Sequence, residues 1–299
     1  MHQACSRRAT EAATSQAQRT SAPQFDDEAL IPAEPDFTLI GLPTALRLPL
    51  HKSAFRVTHR FLRPLGDGNF GDLVGDFFGL DNGAMIGLEY RYGIIPNGQI
   101  GVHRTSDKTI EFFSEYGVFR QGQRLPLEIA AIASIEGPNN FKDAKSPSLG
   151  AVVSRRVGNR AAFYVEPIWV NNTNPLPASI VDHNDTFMIG LGARIRIRPT
   201  VYIVAEASPR VAGYAPGTTY GGFGIEKHAG GHQFQLNVSD AYATTMAQIA
   251  RGGTPTRNWY LGFQRQRLAQ ALHAFRIDRY RTLQLRKRSS HYRVLDRFR

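Results

Sequence analysis

Ionisable residues recur at alternate positions through the middle of this 299-residue chain, and their types limit the chemistry they could do. Counting by twos along each alternating segment puts Glu89, Glu111, Glu115, Glu128, Glu136, Glu166 and Glu206 on the same faces as Arg56, Arg60, Arg91, Arg156, Arg194 and Arg196. Acids and bases crowded inside a narrow interior are expected to pair across it, because an unpaired buried charge is too costly to keep. The set then reads in one of two ways. It is a structural ion-pair network that partly plugs the interior, or a pair of walls whose transverse field selects polar or zwitterionic solutes.

Other residues with chemistry to offer read as structural. His232, in GGHQFQL, shares a register with Phe234, Leu236 and Val238, while Gln233, Gln235 and Asn237 take the opposite face, so its imidazole belongs to the apolar side near a strand end. His59 keeps the register of Phe55, Val57 and Phe61, and His103 is expected to point inward alone; no spacing fits a metal site. Cys5 is the single cysteine, which excludes an intrachain disulfide. The loop GDGNFGDLVGDFFGLDNG offers Asp67, Asn69, Asp72, Asp76 and Asp81 but not the ligand positions of an EF-hand. Its residues 73–78 are expected to form a short helix capping a mouth. A hydrolase would need a nucleophile beside a base and an orienting partner. Ser114 lies on the apolar register of Phe112 and Tyr116 with no such partners placed beside it, and no GxSxG elbow occurs. The expectation is no enzyme, no catalytic residue, no metal and no cofactor.

The elements that must position these residues alternate with period two, as β-strands do. Twelve are read, over residues 54–63, 84–92, 98–105, 109–120, 126–136, 148–157, 160–170, 185–198, 200–208, 220–228, 231–239 and 258–264. The eighth is the clearest: Phe187, Ile189, Leu191, Ala193, Ile195 and Ile197 interleave with Met188, Gly190, Gly192, Arg194, Arg196 and Arg198. Tilted strands crossing a bilayer take about 9–11 residues. Connections at one end, residues 93–97, 121–125, 158–159, 199 and 229–230, are short. Those at the other, residues 64–83, 137–147, 171–184, 209–219 and 240–257, are long, with only 106–108 tight. Periodicity alone would also suit a soluble barrel or sandwich, but this asymmetry and the even count are the signature of an outer-membrane barrel. Tyr90, Tyr92, Phe112, Tyr116, Phe163, Trp169, Phe187, Trp259 and Phe263 fall on the apolar register, several at girdle positions near strand ends. The fold class expected is all-β: a closed antiparallel up-and-down transmembrane β-barrel of about twelve strands.

Composition agrees. A mean hydropathy of −0.30, with no apolar run of the roughly 18–20 residues that a spanning helix needs, excludes a helical membrane protein. The net charge of +11 would suit nucleic acid, but ten arginines and Lys287 against Asp278 and Asp296 lie after Phe263, leaving the rest nearly neutral. No nucleic-acid partner is expected. Residues 1–50, rich in Ala, Ser, Thr, Gln and Pro, show no period and read as a flexible arm. Nothing before Phe37 supplies the apolar stretch of a secretory signal, so the signal is expected upstream of the given start. The domains expected are the arm at 1–50, the barrel at 51–264 and a basic tail at 265–299, whose composition suits a shifted reading frame better than a basic appendage.

LDNGAMIGLEYRYGI, GGHQFQL and NWYLGF, at residues 80–94, 230–236 and 258–263, resemble a bacterial outer-membrane β-barrel family of unassigned function, over about residues 42–263. The resemblance implies a bacterial outer-membrane location, the lipid bilayer and the outer-membrane assembly machinery as partners, and no known substrate or catalytic residue. Members normally end near the last strand's aromatic; the 36 residues after Phe263 depart from that. The function expected is a narrow channel for small polar solutes with a mixed-charge lumen. The alternative is a structural or partner-binding barrel whose lumen is plugged.

Overall fold

A computed structural model describes residues 33–174, 184–254 and 258–269. Its strands, in chain order, are β1 (Ser53–Pro64), β2 (Ala84–Ile95), β3 (Gly98–Thr105), β4 (Ile110–Phe119), β5 (Glu128–Gly137), β6 (Ser146–Val157), β7 (Ala161–Asn171), β8 (Asp185–Arg198), β9 (Val201–Ser208), β10 (Arg210–Gly213), β11 (Tyr220–Ala229), β12 (His232–Ser239) and β13 (Tyr260–Ala269). All but β10 form a closed antiparallel ring, in which β8 pairs with β9, β9 with β11, and β13 with β1. Closure leaves no open edge, and lipid offers no water to satisfy one. The twelve segments read from the sequence are these twelve ring strands. The extra β10 pairs with β8 through Met188, Phe187 and Thr186, and four residues are too few to show a period.

Alternation sets the two faces of the wall. Outward positions such as Leu88, Phe112, Leu149, Phe163, Ile225 and Leu236 are exposed, while the residues between them are buried. Inside a bilayer, apolar residues turned outward meet acyl chains rather than water. No described helix is long and apolar enough to cross a membrane; the crossing is made by strands. The turn between β11 and β12 is the tightest kind, with Gly230 and Gly231 both at positive φ, 55° and 75°. That suits a two-residue type I′ hairpin.

Two expected domain limits change. β13 runs to Ala269, so the basic tail expected from residue 265 begins within the wall: Arg265 pairs with Val57 and Phe234, and Leu268 with Ala54. The rest of that tail, residues 270–299, lies outside the described residues. At the other end part of the expected flexible arm, residues 33–48, is packed. Phe37, Leu39, Ile40, Leu42, Leu46 and Leu48 are at most 3% exposed, because this segment runs inside the barrel. Its apolar residues follow no period because they belong to an irregular hairpin whose other half is the barrel's own inner wall. Residues 1–32 lie outside the described residues.

The helix expected at residues 73–78 forms earlier, as α1 (Phe70–Gly75), capped by the Asn69 side chain. None of its residues is buried, so it does not cap the mouth. The mouth is filled by residues 240–254, which carry α2 (Met246–Ala250) with Ala247, Ile249 and Ala250 buried.

Candidate functional site

The site is the lumen, and two segments of the chain occupy it. Residues 36–44 double back as a hairpin: Thr38 bridges Pro43, the Leu39 amide donates to the Leu42 carbonyl at 2.8 Å, and the Thr44 amide donates to the Phe37 carbonyl at 2.9 Å. Both arms lead to the short-turn end. There the His51 amide donates to the Gly93 carbonyl, and Glu34 lies 3.5 Å from Arg156 near the turn after β6. The tip at residues 39–42 therefore points toward the middle of the barrel.

Glu206 holds that tip. Its carboxylate accepts the amides of Ile40, Gly41 and Leu42 at 2.9, 2.7 and 3.1 Å and the Tyr220 hydroxyl at 2.8 Å. Successive backbone N–H groups converging on one anion form a nest, and bonds to an ionised acceptor are about twice as strong as neutral ones. The hairpin's carbonyls are satisfied by the wall too. Arg60 donates to Ile40, Gln235 and Gln264 to Leu39, and Arg194 to Thr38. Leu39 and Leu42 need space as well as bonds. Glycines of β8 supply it: a Cβ at Gly192 would stand 2.1 Å from Leu39 Cδ1, and one at Gly190 would stand 3.0 Å from Leu42 Cδ1.

The second plug descends from the long-loop end. Glu111 and Glu136, register partners on β4 and β5, accept the amides of Met246 and Ala247 at 3.2 Å each. These are the N–H groups that a helix start leaves without an internal partner. Ile249 meets the hairpin tip, where a Cβ on Gly41 would stand 2.8 Å from its Cδ1. The two plugs thus touch, and Leu39, Leu42, Ile168, Val170, Met188, Tyr220 and Ile249 belong to one buried apolar cluster inside the barrel.

Twelve of the thirteen charged residues expected in the lumen have little or no exposure: all but Arg156 and Arg196 are buried, and the Arg156 side chain is 16% exposed. Arg196 is less buried and donates to the Pro199 carbonyl at the short-turn rim. Some pair with one another, within a strand or across one or two strand spacings. Glu89 takes both Arg56 and Arg91, and Arg91 reaches Glu115 at 3.7 Å; Arg156 bridges Glu128 at 2.8 Å. Others do not pair with one another. Glu206, Glu111 and Glu136 are turned to the plugs, Arg60 binds Asn237 and Ile40, and Arg194 makes a two-pronged bond to Glu226 at 2.8 and 2.9 Å.

Glu226 was missing from the expected set because its segment begins Tyr-Gly-Gly-Phe-Gly, where glycines blur the alternation; its register with Tyr220 was the available signal. Glu34, Asp36 and Arg47 were missed with their segment. Arg47 adds a 3.4 Å contact to Glu128. Burial pushes the carboxyl of Glu34 up to about 7, with Glu128 adding to the push and Arg156 and Arg194 opposing it. Burial likewise raises Asp36 to about 6 against the pull of Arg194.

The histidines divide by face. His103 points inward but not alone, with Nδ1 3.9 Å from Glu111. His232 keeps the outward register, 3.3 Å from the Arg265 guanidinium. Among the described residues no cluster of His, Cys, Asp and Glu could hold a metal ion. The Ser114 hydroxyl is exposed on the outer register and meets only the Ala133 carbonyl, at 3.5 Å.

Among the described residues, space remains at both ends of the barrel and between them. A vestibule of about 400 Å³ at the long-loop end is lined by Asp107, Tyr242, Gln248 and Arg251. One of about 570 Å³ at the short-turn end is lined by Arg47, Asn97, Arg120, Gln121 and Arg156. Between them, along Arg56, Glu89, Arg91, His103 and Glu115, only about 50 Å³ is left. One water needs about 10–15 Å³, so this remnant holds a few waters and no larger solute.

Residues 36–268 match the model of a family described as "Membrane bound beta barrel domain (DUF5777)". No curated protein matches the sequence. Among solved structures, the chain is similar to an outer membrane channel from Pseudomonas putida F1, with TM-score 0.46 and 11% identity over 74% of this chain and 97% of that one. The KdgM porin in complex with disordered oligogalacturonate gives TM-score 0.45 and 8% identity, over 72% and 98%. A mutant of the Rh. blastica porin gives 0.34 and 11%, over 62% of this chain and 55% of the porin, so the match spans little more than half of that porin's length.

Proposed function

This chain belongs to the membrane bound β-barrel domain family, and from that premise we propose that it is a bacterial outer-membrane channel held closed by its own hairpin. Small polar solutes would pass along the wall of Arg56, Glu89, Arg91 and Glu115 once the hairpin tip leaves Glu206. The observation that carries this reading is the pair of vestibules at opposite ends of the barrel, with the hairpin and the segment 240–254 filling the lumen between them. The hairpin is tied by hydrogen bonds, two ion contacts of its arms and packing, and both its arms lead out at the short-turn end. Withdrawal toward the periplasm therefore needs no unthreading of the barrel. A permanently plugged structural barrel is the second reading, favoured by the apolar packing of Leu39 and Leu42.

Planar-bilayer recording separates the two. The full chain is expected to be silent or to open rarely, and a variant lacking residues 33–50 to show discrete conductance steps. Steady conductance from the full chain would refute the closed state. A folded deletion variant that stays silent would refute a channel closed by the hairpin.

A further inference from the structure

Charge on the outside of the molecule is distributed unevenly between the two ends. At the long-loop end, exposed Asp67, Asp72, Asp107 and Asp143 mingle with exposed Arg104, Lys108, Lys142 and Lys145. At the short-turn end Arg120, Arg124, Arg155, Arg160, Arg198 and Lys227 are exposed, and among the described residues no exposed acid accompanies them. A rim of one sign attracts the opposite sign.

Part of this positive charge faces outward from the wall rather than toward the lumen. Lys227 is the register partner of Phe234, and Phe234 of Arg265, so the three form one row on the outer face across β11, β12 and β13. The next row toward the turn holds His232 beside Arg267. The Arg265 guanidinium lies 5.5 Å from the centre of the Phe234 ring, and the Lys227 ammonium donates to the Thr200 hydroxyl at the turn, at 2.7 Å. One step toward the middle of the barrel the same strands expose Ile225, Leu236 and Phe263. The row therefore lies where the apolar belt ends.

We propose that the outward row of Lys227, Phe234 and Arg265, with Arg267 beside it, binds the phosphate of an anionic phospholipid in the leaflet at the short-turn end. Strands lie about 4.8 Å apart, so Lys227 and Arg265 flank Phe234 across two strand spacings, the span of a glycerophosphate headgroup. A guanidinium offers a planar fork matched to phosphate oxygens, and an ammonium adds a point charge. Phe234 and the apolar residues above it face the acyl chains. A solute in the lumen cannot reach these side chains, because the wall stands between, so the ligand comes from the bilayer. The inference goes beyond the channel reading and does not depend on whether the hairpin moves.

Native mass spectrometry of the purified full chain in detergent tests it, with cardiolipin, phosphatidylglycerol, phosphatidylcholine or inorganic phosphate added. Adducts with the two anionic lipids are expected, and none of comparable strength with phosphatidylcholine or phosphate. The double variant Lys227→Gln, Arg265→Gln is expected to weaken anionic-lipid binding roughly fivefold per cation removed, while Arg104→Gln at the long-loop end leaves it unchanged. A heat-modifiable gel shift, kept by both variants, shows that they fold. Equal retention of phosphatidylcholine, an equal adduct with inorganic phosphate alone, or undiminished binding by the folded double variant would overturn the proposal.

Discussion

The two halves of the inner wall are built from different residues. From β12 through β13 and β1 to β4, the inward positions are Gln235, Asn237, Gln264, Arg56, Arg60, Glu89, Arg91, His103, Glu111 and Glu115. From β5 to β9 charged and hydroxyl side chains continue, with Glu128, Glu136, Glu166, Arg194 and Glu206, but here an apolar patch joins them: Ala130, Ile132, Val152, Tyr164, Ile168, Val170, Met188 and Val204. The polar half carries hydrogen-bonding groups that water or solute could replace. The apolar patch has no use for water, and it is covered by Leu39, Leu42 and Ile249. An open pore would have left that patch wet, so the difference explains why the barrel contains a hairpin. Fully burying a Leu is worth about 1.5–3 kcal/mol.

Filling the apolar seat is the strongest way to break this arrangement. Gly192→Leu keeps the strand register and adds a side chain where Leu39 now lies, with the new Cβ 2.1 Å from Leu39 Cδ1. The hairpin loses the burial of Leu39, about 1.5–3 kcal/mol, and meets overpacking of about 1–3 kcal/mol. The expected outcome is a folded barrel that conducts and whose residues 33–50 are cut by added protease. If protease still spares the hairpin, the apolar patch is not its anchor.

The polar contact at the tip is expected to matter less. Glu206→Gln leaves the Tyr220 and amide donors facing a neutral group, and neutral hydrogen bonds are about half as strong as those to a carboxylate. The expected loss is about 1–2 kcal/mol, on the scale of hydrogen bonds to charged groups. It should appear as roughly a tenfold rise in open time in bilayer recordings, with barrel stability on a heat-shift gel little changed. A larger effect than that of Gly192→Leu would make the carboxylate, rather than the apolar seat, the main anchor of the hairpin.

The outer face was readable because lipid imposes a period of two on every strand, and residues 185–198 display it without interruption. The inner face was readable in register but not in partnership. Nothing in the spacing of Glu206, Glu111 or Glu136 says whether an arginine or a backbone amide will meet it. The hairpin left only indirect marks: glycines at 190 and 192 on the lumen side, where a close approach was needed, and a surplus of carboxylates over nearby arginines. β13 was cut short at residue 264 because composition changes there, although Gln264 and Gln266 alternate with Arg265 and Arg267 as a wall strand should.

Acidity tests the hairpin's arms, because it acts on their carboxyls and leaves the apolar seat intact. Glu34 is raised from 4.5 to about 7 and Asp36 from 3.8 to about 6, both chiefly by burial. A carboxyl whose value is raised in the seated state binds more protons there than when withdrawn. Its contribution to seating is complete below its ordinary value and is lost as pH rises through the raised one. Seating should therefore weaken between about pH 4.5 and 7, and opening should become more frequent at pH 8 than at pH 5. Arg194 opposes the rise in both groups, and the raised values already include that pull. Glu34→Gln, which stays neutral, should flatten the upper part of the profile. A profile of the opposite slope would mean that the arms are held by ionised carboxylates and their arginines rather than by burial.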